Sequence, residues 1–339
     1  PDAGLGRWSD EQFYRALHFG VADDGSRLYP AFPYPYYTQL ARADTDAIRA
    51  YLASLAPDSY RSPANELRFP FNQRPLLRLW NLLFLAPGKP QGLRSAQPQL
   101  ERGRFLIEAL GHCGACHSPK NFLGADQDGA HLGGAEVQGS VAVNLTADSR
   151  SGLHSWSQAQ LVEYLKSGRN AHALATGAMR EVIEKSTSWL TDEDLQAMAA
   201  YLKSLPAGGH DAAPLPLAPA VRRAGEAIYI DECTACHRSD GTALPRAFAP
   251  LQGSATVQAT LATSVIRIVL EGARAATTDA TPTAFAMPAF RGKLDDQQVA
   301  DVVTYVRNAW GNLAPPVDAL AVARVRKVIA SEGSQAPRP

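Results

Sequence analysis

The sequence predicts an all-α protein assembled from tandem helical units, and it does so through two kinds of repeat. Amphipathic helices close successive units at Asp46-Ala47-Ile48-Arg49-Ala50-Tyr51-Leu52, at Asp194-Leu195-Gln196-Ala197-Met198-Ala199-Ala200-Tyr201-Leu202, and at Val302-Val303-Thr304-Tyr305-Val306. Gly4-Leu5-Gly6-Arg7-Trp8-Ser9 is echoed by Gly152-Leu153-His154-Ser155-Trp156-Ser157, an offset that holds across the following helix and loop. A third repeat is chemical: Cys113-Gly114-Ala115-Cys116-His117 returns as Cys233-Thr234-Ala235-Cys236-His237. Carried back from Cys113, the offset puts a matching cysteine before residue 1. Residues 1–56 therefore read as the C-terminal half of a unit whose first half lies outside this chain or has been lost.

The organisation that follows has a half-unit at 1–56, a linker with a short apolar helix at 57–97, a complete unit at 98–206, a linker at 207–219, a second complete unit at 220–313, and a tail at 314–339. In chain order, Ser9 is placed to cap a helix from about Asp10 to Phe19, with Asp10 and Glu11 in its first turn. The apolar run 75–85 is too short to cross a bilayer and is broken by Arg78 and Asn81. It reads as a short helix in an interdomain or subunit contact, ahead of a membrane-surface helix. A helix from Glu101 to about Ala109 delivers the chain to Cys113; another from Trp156 to Gly168 leads to Met179; and Thr191 caps the helix that closes the unit at Pro206. Gly225 and Tyr229 share one helix face before Cys233, and Tyr305 suits a crossing at Gly225. The tail, with Arg324, Arg326 and Lys327, reads as an extended peptide or helix clasping a partner.

Composition narrows the chemistry. Lys plus Arg (33) equals Asp plus Glu (33), so no net field points to nucleic acid or to an anionic membrane surface. No carboxylate pair, nucleophile elbow or phosphate loop is visible, which leaves the two cysteine motifs. Two thiols three positions apart lie one helical turn from each other, and the next residue turns an imidazole to the same side. That is the attachment signature of haem c, and all four cysteines of the chain are used by it. Zinc ribbons pair such motifs across a short loop, and a redox dithiol needs no following histidine. Haem c attachment is carried out outside the cytoplasm in bacteria, so the periplasm is the expected home. Pro1 then reads as a processed or truncated end.

His117 and His237 are the expected first axial ligands, and Met179 and Met287, each in a loop before a terminal helix, the expected sixth ligands. The third methionine, Met198, falls inside a repeated helix and reads as core. His131, His154 and His172 are weaker rivals on polar or loop segments. His112 reads as packing at the haem edge, and His18 and His210 have no partner in sequence. In Tyr29-Pro30-Ala31-Phe32-Pro33-Tyr34-Pro35, Phe32 stands where the complete units carry methionine. Without a donor atom it reads as an aromatic filling a core.

Both complete units resemble class I c-type cytochromes. Across nearly its whole length the chain resembles the multihaem cytochrome c subunits of bacterial membrane-bound periplasmic dehydrogenases for alcohol, gluconate, sorbitol and aldehyde. The resemblance lies in 29–35, Phe69-Pro70-Phe71-Asn72-Gln73-Arg74, Gly111-His112-Cys113-Gly114-Ala115-Cys116-His117-Ser118-Pro119, Gly177-Ala178-Met179, and Met287-Pro288-Ala289-Phe290 with Trp310-Gly311-Asn312. It implies two covalent haems c in this chain, with a third where an upstream segment supplies the motif. It also implies a relay from a catalytic subunit bearing flavin, pyrroloquinoline quinone or molybdenum to ubiquinone or an oxidase, with peripheral membrane contact at the outer face of the inner membrane. A free dihaem shuttle and a dihaem peroxidase-like enzyme are the alternatives; the second needs an open iron, which two methionines oppose.

Overall fold

The computed structural model describes residues 4–58, 60, 63, 65–88, 95–127, 129–208 and 217–335. His210 and most of the 207–219 linker lie outside the described residues. Backbone packing divides the chain into two compact units, Pro1–Ala115 with Lys120–Asp126, and Cys116–Pro119 with Gln127–Pro339. Apart from isolated bridges, strand structure among the described residues is confined to two short antiparallel ribbons.

The first unit holds α1 (Asp10–Phe19), α2 (Tyr34–Tyr37), α3 (Arg42–Ser54), α4 (Leu76–Phe84) and α5 (Pro98–Arg104). The expected start of α1 is built as a reciprocal cap: Gln12 N donates to Ser9 Oγ at 3.1 Å and Ser9 N donates to Gln12 Oε1 at 2.8 Å, satisfying two of the helix's free N-terminal amides. The helix stops at Gly20, which is left-handed at φ 59. Tyr34 is fully buried, and its hydroxyl donates to Asn81 Oδ1 at 2.6 Å, tying α2 to α4. The helix expected at 101–109 starts earlier, at Pro98, and changes character after Arg104. Phe105–Leu110 is a π-helical turn, with Gly111 N donating to Leu106 O at 2.8 Å.

The second unit carries β1 (Ala135–Val137), β2 (Ser140–Ala142), α6 (Gln158–Ser167), α7 (Gly177–Lys185), α8 (Asp192–Ser204), α9 (Pro219–Glu232), α10 (Thr234–His237), α11 (Ala255–Gln258), α12 (Thr263–Glu271), β3 (Ala273–Arg274), β4 (Ala286–Met287), α13 (Asp296–Val306) and α14 (Ala319–Gln335). The repeat offset seen in sequence is visible in the backbone. Helix α6 starts at Ser157, capped with Gln160 as Ser9 is with Gln12, and ends at left-handed Gly168, φ 75.

The crossing expected at Gly225 is present. A Cβ on Gly225 would fall into the carbonyl oxygen of Asp301 and 2.6 Å from Tyr305 Cβ, so α9 and α13 meet at van der Waals distance only because that side chain is missing. Tyr229, Tyr305 and Trp310 close the gap as an aromatic triad with ring centroids 5.0–5.7 Å apart. The tail differs from expectation. Helix α14 buries Val322, Val325 and Ile329 in the same core as Val299, Val303 and Leu270, so it clasps its own domain. Its apolar stripe looked narrow in sequence because its buried side chains, Val322, Val325 and Ile329, are interleaved with charged residues.

Gly225→Ala is expected to lower the unfolding free energy of the haem-loaded chain by about 1–3 kcal/mol, because the obstructing atom is backbone and cannot rotate away. The helix-propensity gain of up to ~1 kcal/mol does not offset this. A denaturation midpoint equal to or above that of the parent chain would show that the crossing has slack.

Candidate haem sites

Each Cys-x-x-Cys-His segment ends in a single helical turn, Gly114–His117 and Thr234–His237. In the second, Cys236 N and His237 N both donate to Cys233 O, at 3.2 and 2.9 Å, which sets the two thiols one turn apart. None of the four cysteines is in a disulfide; Cys113 and Cys233 are half-buried, Cys116 and Cys236 exposed.

The histidines are oriented from behind. His117 Nδ1 donates to Val143 O at 2.7 Å and His237 Nδ1 to Ala249 O at 2.9 Å. A carbonyl can only accept, so the proton sits on Nδ1 and Nε2 keeps its lone pair. Burial holds both imidazoles below their ordinary range, against the opposing effect of the same carbonyls. Two neutral rings with Nε2 free are the donor set that haem iron needs. The competing chemistries lack support. Among the described residues no cluster of three or more His, Cys, Asp or Glu could hold a metal ion. Burial, then Glu232 and Cys236, push the Cys233 thiol up to about 11, opposite to the lowered value of a reactive dithiol.

Met179 and Met287 lie in the same unit as the two histidines. Met179 was expected in a loop; it sits instead in the first turn of α7, packed with Ala175, Ile183 and Ala276. Glycine and alanine before it hid the helix start. Met287 ends β4, which pairs with β3 through Ala273. The β3–β4 ribbon rests on Gly272. At φ 75 this residue brings the backbone so close that a Cβ would enter the Met287 carbonyl and sit 3.0 Å from the Pro288 carbonyl carbon. Met198 is buried, as expected of core.

The other histidines have structural work. His18 is held between Leu40 O at 2.7 Å and Tyr14 O at 3.3 Å, and His172 stacks on Trp156 at 5.2 Å. His131 Nδ1 lies 3.4 Å from Ser118 Oγ, His154 is exposed, and His112 meets Tyr37 edge-on at 5.5 Å, with burial lowering its basicity. Phe32 does not fill a core. It is 39% exposed and lines an apolar cavity of about 400 Å³ with Trp8, Phe13, Leu17 and Tyr37.

Arg169 was not singled out from sequence. It is 6% exposed, donates from Nη2 to Thr283 O at 2.8 Å and to Ala276 O at 3.1 Å, and lies over the Phe285 ring at 5.7 Å. Its Nε is buried without an acceptor. A haem carboxylate is an acceptor of the kind this donor lacks, so the residues present fit the group on both counts, iron donors and anion partner. The available signal was its place directly after the helix-ending Gly168, on the segment leading to Met179.

Residues 100–206 and 223–310 match the family model described as Cytochrome c. The chain belongs to the cytochrome c family. It is similar to the gluconate 2-dehydrogenase cytochrome c subunit of Pantoea cypripedii, at 39% identity over 96% of this chain and 78% of that protein. It is similar also to the alcohol dehydrogenase (quinone) cytochrome c subunit of Gluconobacter oxydans, at 36% over 93% and 70%, and to the fructose dehydrogenase cytochrome subunit of Gluconobacter japonicus, at 35% over 98% and 74%. This cytochrome carries covalent haem c and transfers electrons.

Gly272→Ala is expected to disturb the absorption spectrum of one haem and leave the other unchanged, since the strained residue pushes only the Met287 ribbon. Spectra matching the parent for both haems would show that the close approach has no bearing on the iron.

Proposed function

We propose that this cytochrome is the electron-transfer subunit of a dehydrogenase complex at the outer face of a bacterial inner membrane. In it, two haems c relay electrons from a catalytic subunit with flavin, pyrroloquinoline quinone or molybdenum to ubiquinone or an oxidase. The supporting observation is the pair of histidines, each following two cysteines not joined in a disulfide and each turned by a backbone carbonyl so that Nε2 is the available donor. Cys113 and Cys116 would hold one haem with His117 and Met179 as ligands, in a domain at 98–206. Cys233 and Cys236 would hold the second with His237 and Met287, in a domain at 220–313.

When bound, the haem supplies one-electron exchange between ferric and ferrous iron. The protein's part is to hold and tune. Val143 and Ala249 fix the imidazole tautomer, the methionine sulfurs favour the ferrous state, and the aromatic triad excludes water behind Cys233. The dehydrogenase partner is supported by relatives named as cytochrome subunits of gluconate, alcohol and fructose dehydrogenases. No helix among the described residues is long and apolar enough to cross a membrane, which is compatible with peripheral attachment. A third haem on residues 1–56 requires attachment cysteines from beyond this sequence, and Phe32 offers its iron no donor atom.

Replacing Met179 or Met287 by alanine is expected to lower the reduction potential of one haem each and to slow quinone reduction by the assembled complex. Redox titration of the two variants reads this directly; unshifted potentials with parental quinone reduction would remove both residues from the ligand set.

A further inference from the structure

Helix α4 is packed the wrong way out for a soluble protein. Its one uncharged polar side chain, Asn81, faces inward at 8% exposure, accepting from the buried Tyr34 hydroxyl and donating to Phe19 O at 3.4 Å. Trp80 anchors the same side through Nε1 to Leu123 O at 2.9 Å. The opposite side shows Leu76, Leu79, Leu82 and Leu83 to solvent, with Leu82 80% exposed. Just before the helix, Phe69 and Phe71 are exposed as well. A helix that buries its asparagine and shows four leucines has its apolar face covered by something else in the working state.

Charge identifies the cover. The chain as a whole has as many acidic as basic residues, yet from Leu67 to Leu100 it has five basic residues and no Asp or Glu. Arg68 and Arg78 are exposed beside the leucines, while Arg74 is tied down to Arg27 O at 3.1 Å and over the Tyr29 ring. Leucines and phenylalanines flanked by arginines, on a helix of nine residues, match an element lying in the headgroup region of an anionic bilayer.

We propose that α4, with the Phe69–Phe71 stretch before it, is the face by which this cytochrome lies on an anionic lipid surface. The leucines enter the acyl boundary, and Arg68 and Arg78 reach the phosphates. This gives a surface to the membrane location proposed above and rests on that location, but not on the haem ligands.

The test is cosedimentation of the full haem-loaded chain with vesicles. Against equimolar phosphatidylglycerol and phosphatidylcholine, the parent should bind at least tenfold more tightly than against phosphatidylcholine alone, and high salt should weaken it. Leu79→Glu with Leu82→Glu should abolish binding, and Arg68→Gln with Arg78→Gln should weaken it severalfold. Unchanged haem absorption and circular dichroism would establish that both variants are folded. Because the substituted side chains are exposed, folding is expected to survive. Failure of the parent to bind either vesicle, or undiminished binding by the leucine variant, overturns the proposal. So does a leucine variant that still binds vesicles but loses a copurifying dehydrogenase subunit, since the face would then be a protein contact. None of these outcomes alters the haem potentials, so the electron-transfer assignment stands or falls separately.

Discussion

The proposed haem sites depend on a hydrogen bond made on the side of the imidazole that an iron at Nε2 would not use. Had Nδ1 of His117 or His237 faced solvent, either tautomer could form and the ring could rotate; a carbonyl at 2.7 or 2.9 Å removes both freedoms. The two domains meet this requirement with unlike chain. Val143 returns to His117 through a loop containing the β1–β2 ribbon, paired from Ala135↔Ala142 to Val137↔Ser140. Ala249 returns to His237 after only twelve residues, through a loop with Ala243 and Arg246 in left-handed backbone. Where loops of different length and conformation deliver the same group to the same atom, the constraint lies in the carbonyl and not in the loop.

That distinction also separates what was legible in the sequence from what was not. Caps were legible at Ser9 and Thr191, because each acts on an amide three residues away and nothing distant decides the outcome. The crossing at Gly225 was legible because a glycine one turn before Tyr229 leaves room that the aromatic Tyr305 can enter. The π turn before Cys113 was hidden, since Phe105-Leu106-Ile107 reads equally well as α-helix. The helical setting of Met179 was hidden by Gly177 and Ala178, and the packing of α14 by a stripe too thin to announce a core. Arg169 belongs with these. Its acceptors at Ala276 and Thr283 lie more than a hundred residues away, beyond the reach of any local pattern.

The first unit repeats the architecture of the second around a different side chain. Helix α1 has the cap and the left-handed stop of α6, and its following loop has the prolines. At the position where sulfur is expected there is a ring, and that ring lines an apolar cavity. Replacing a thioether by phenyl keeps the surface apolar while removing a donor atom, so the packing of α1 and α3 does not depend on it.

Arg169 is a buried charge whose protein partners do not use all of its donors. Burial disfavours its charge, and its hydrogen bonds to the two carbonyls of the Met287 side recover only about 1.5–3 kcal/mol each, against a desolvation cost of several kcal/mol for a buried ion. A guanidinium with one N–H left unpaired is therefore an incomplete arrangement in protein alone, and a haem carboxylate, where bound beside it, would complete it.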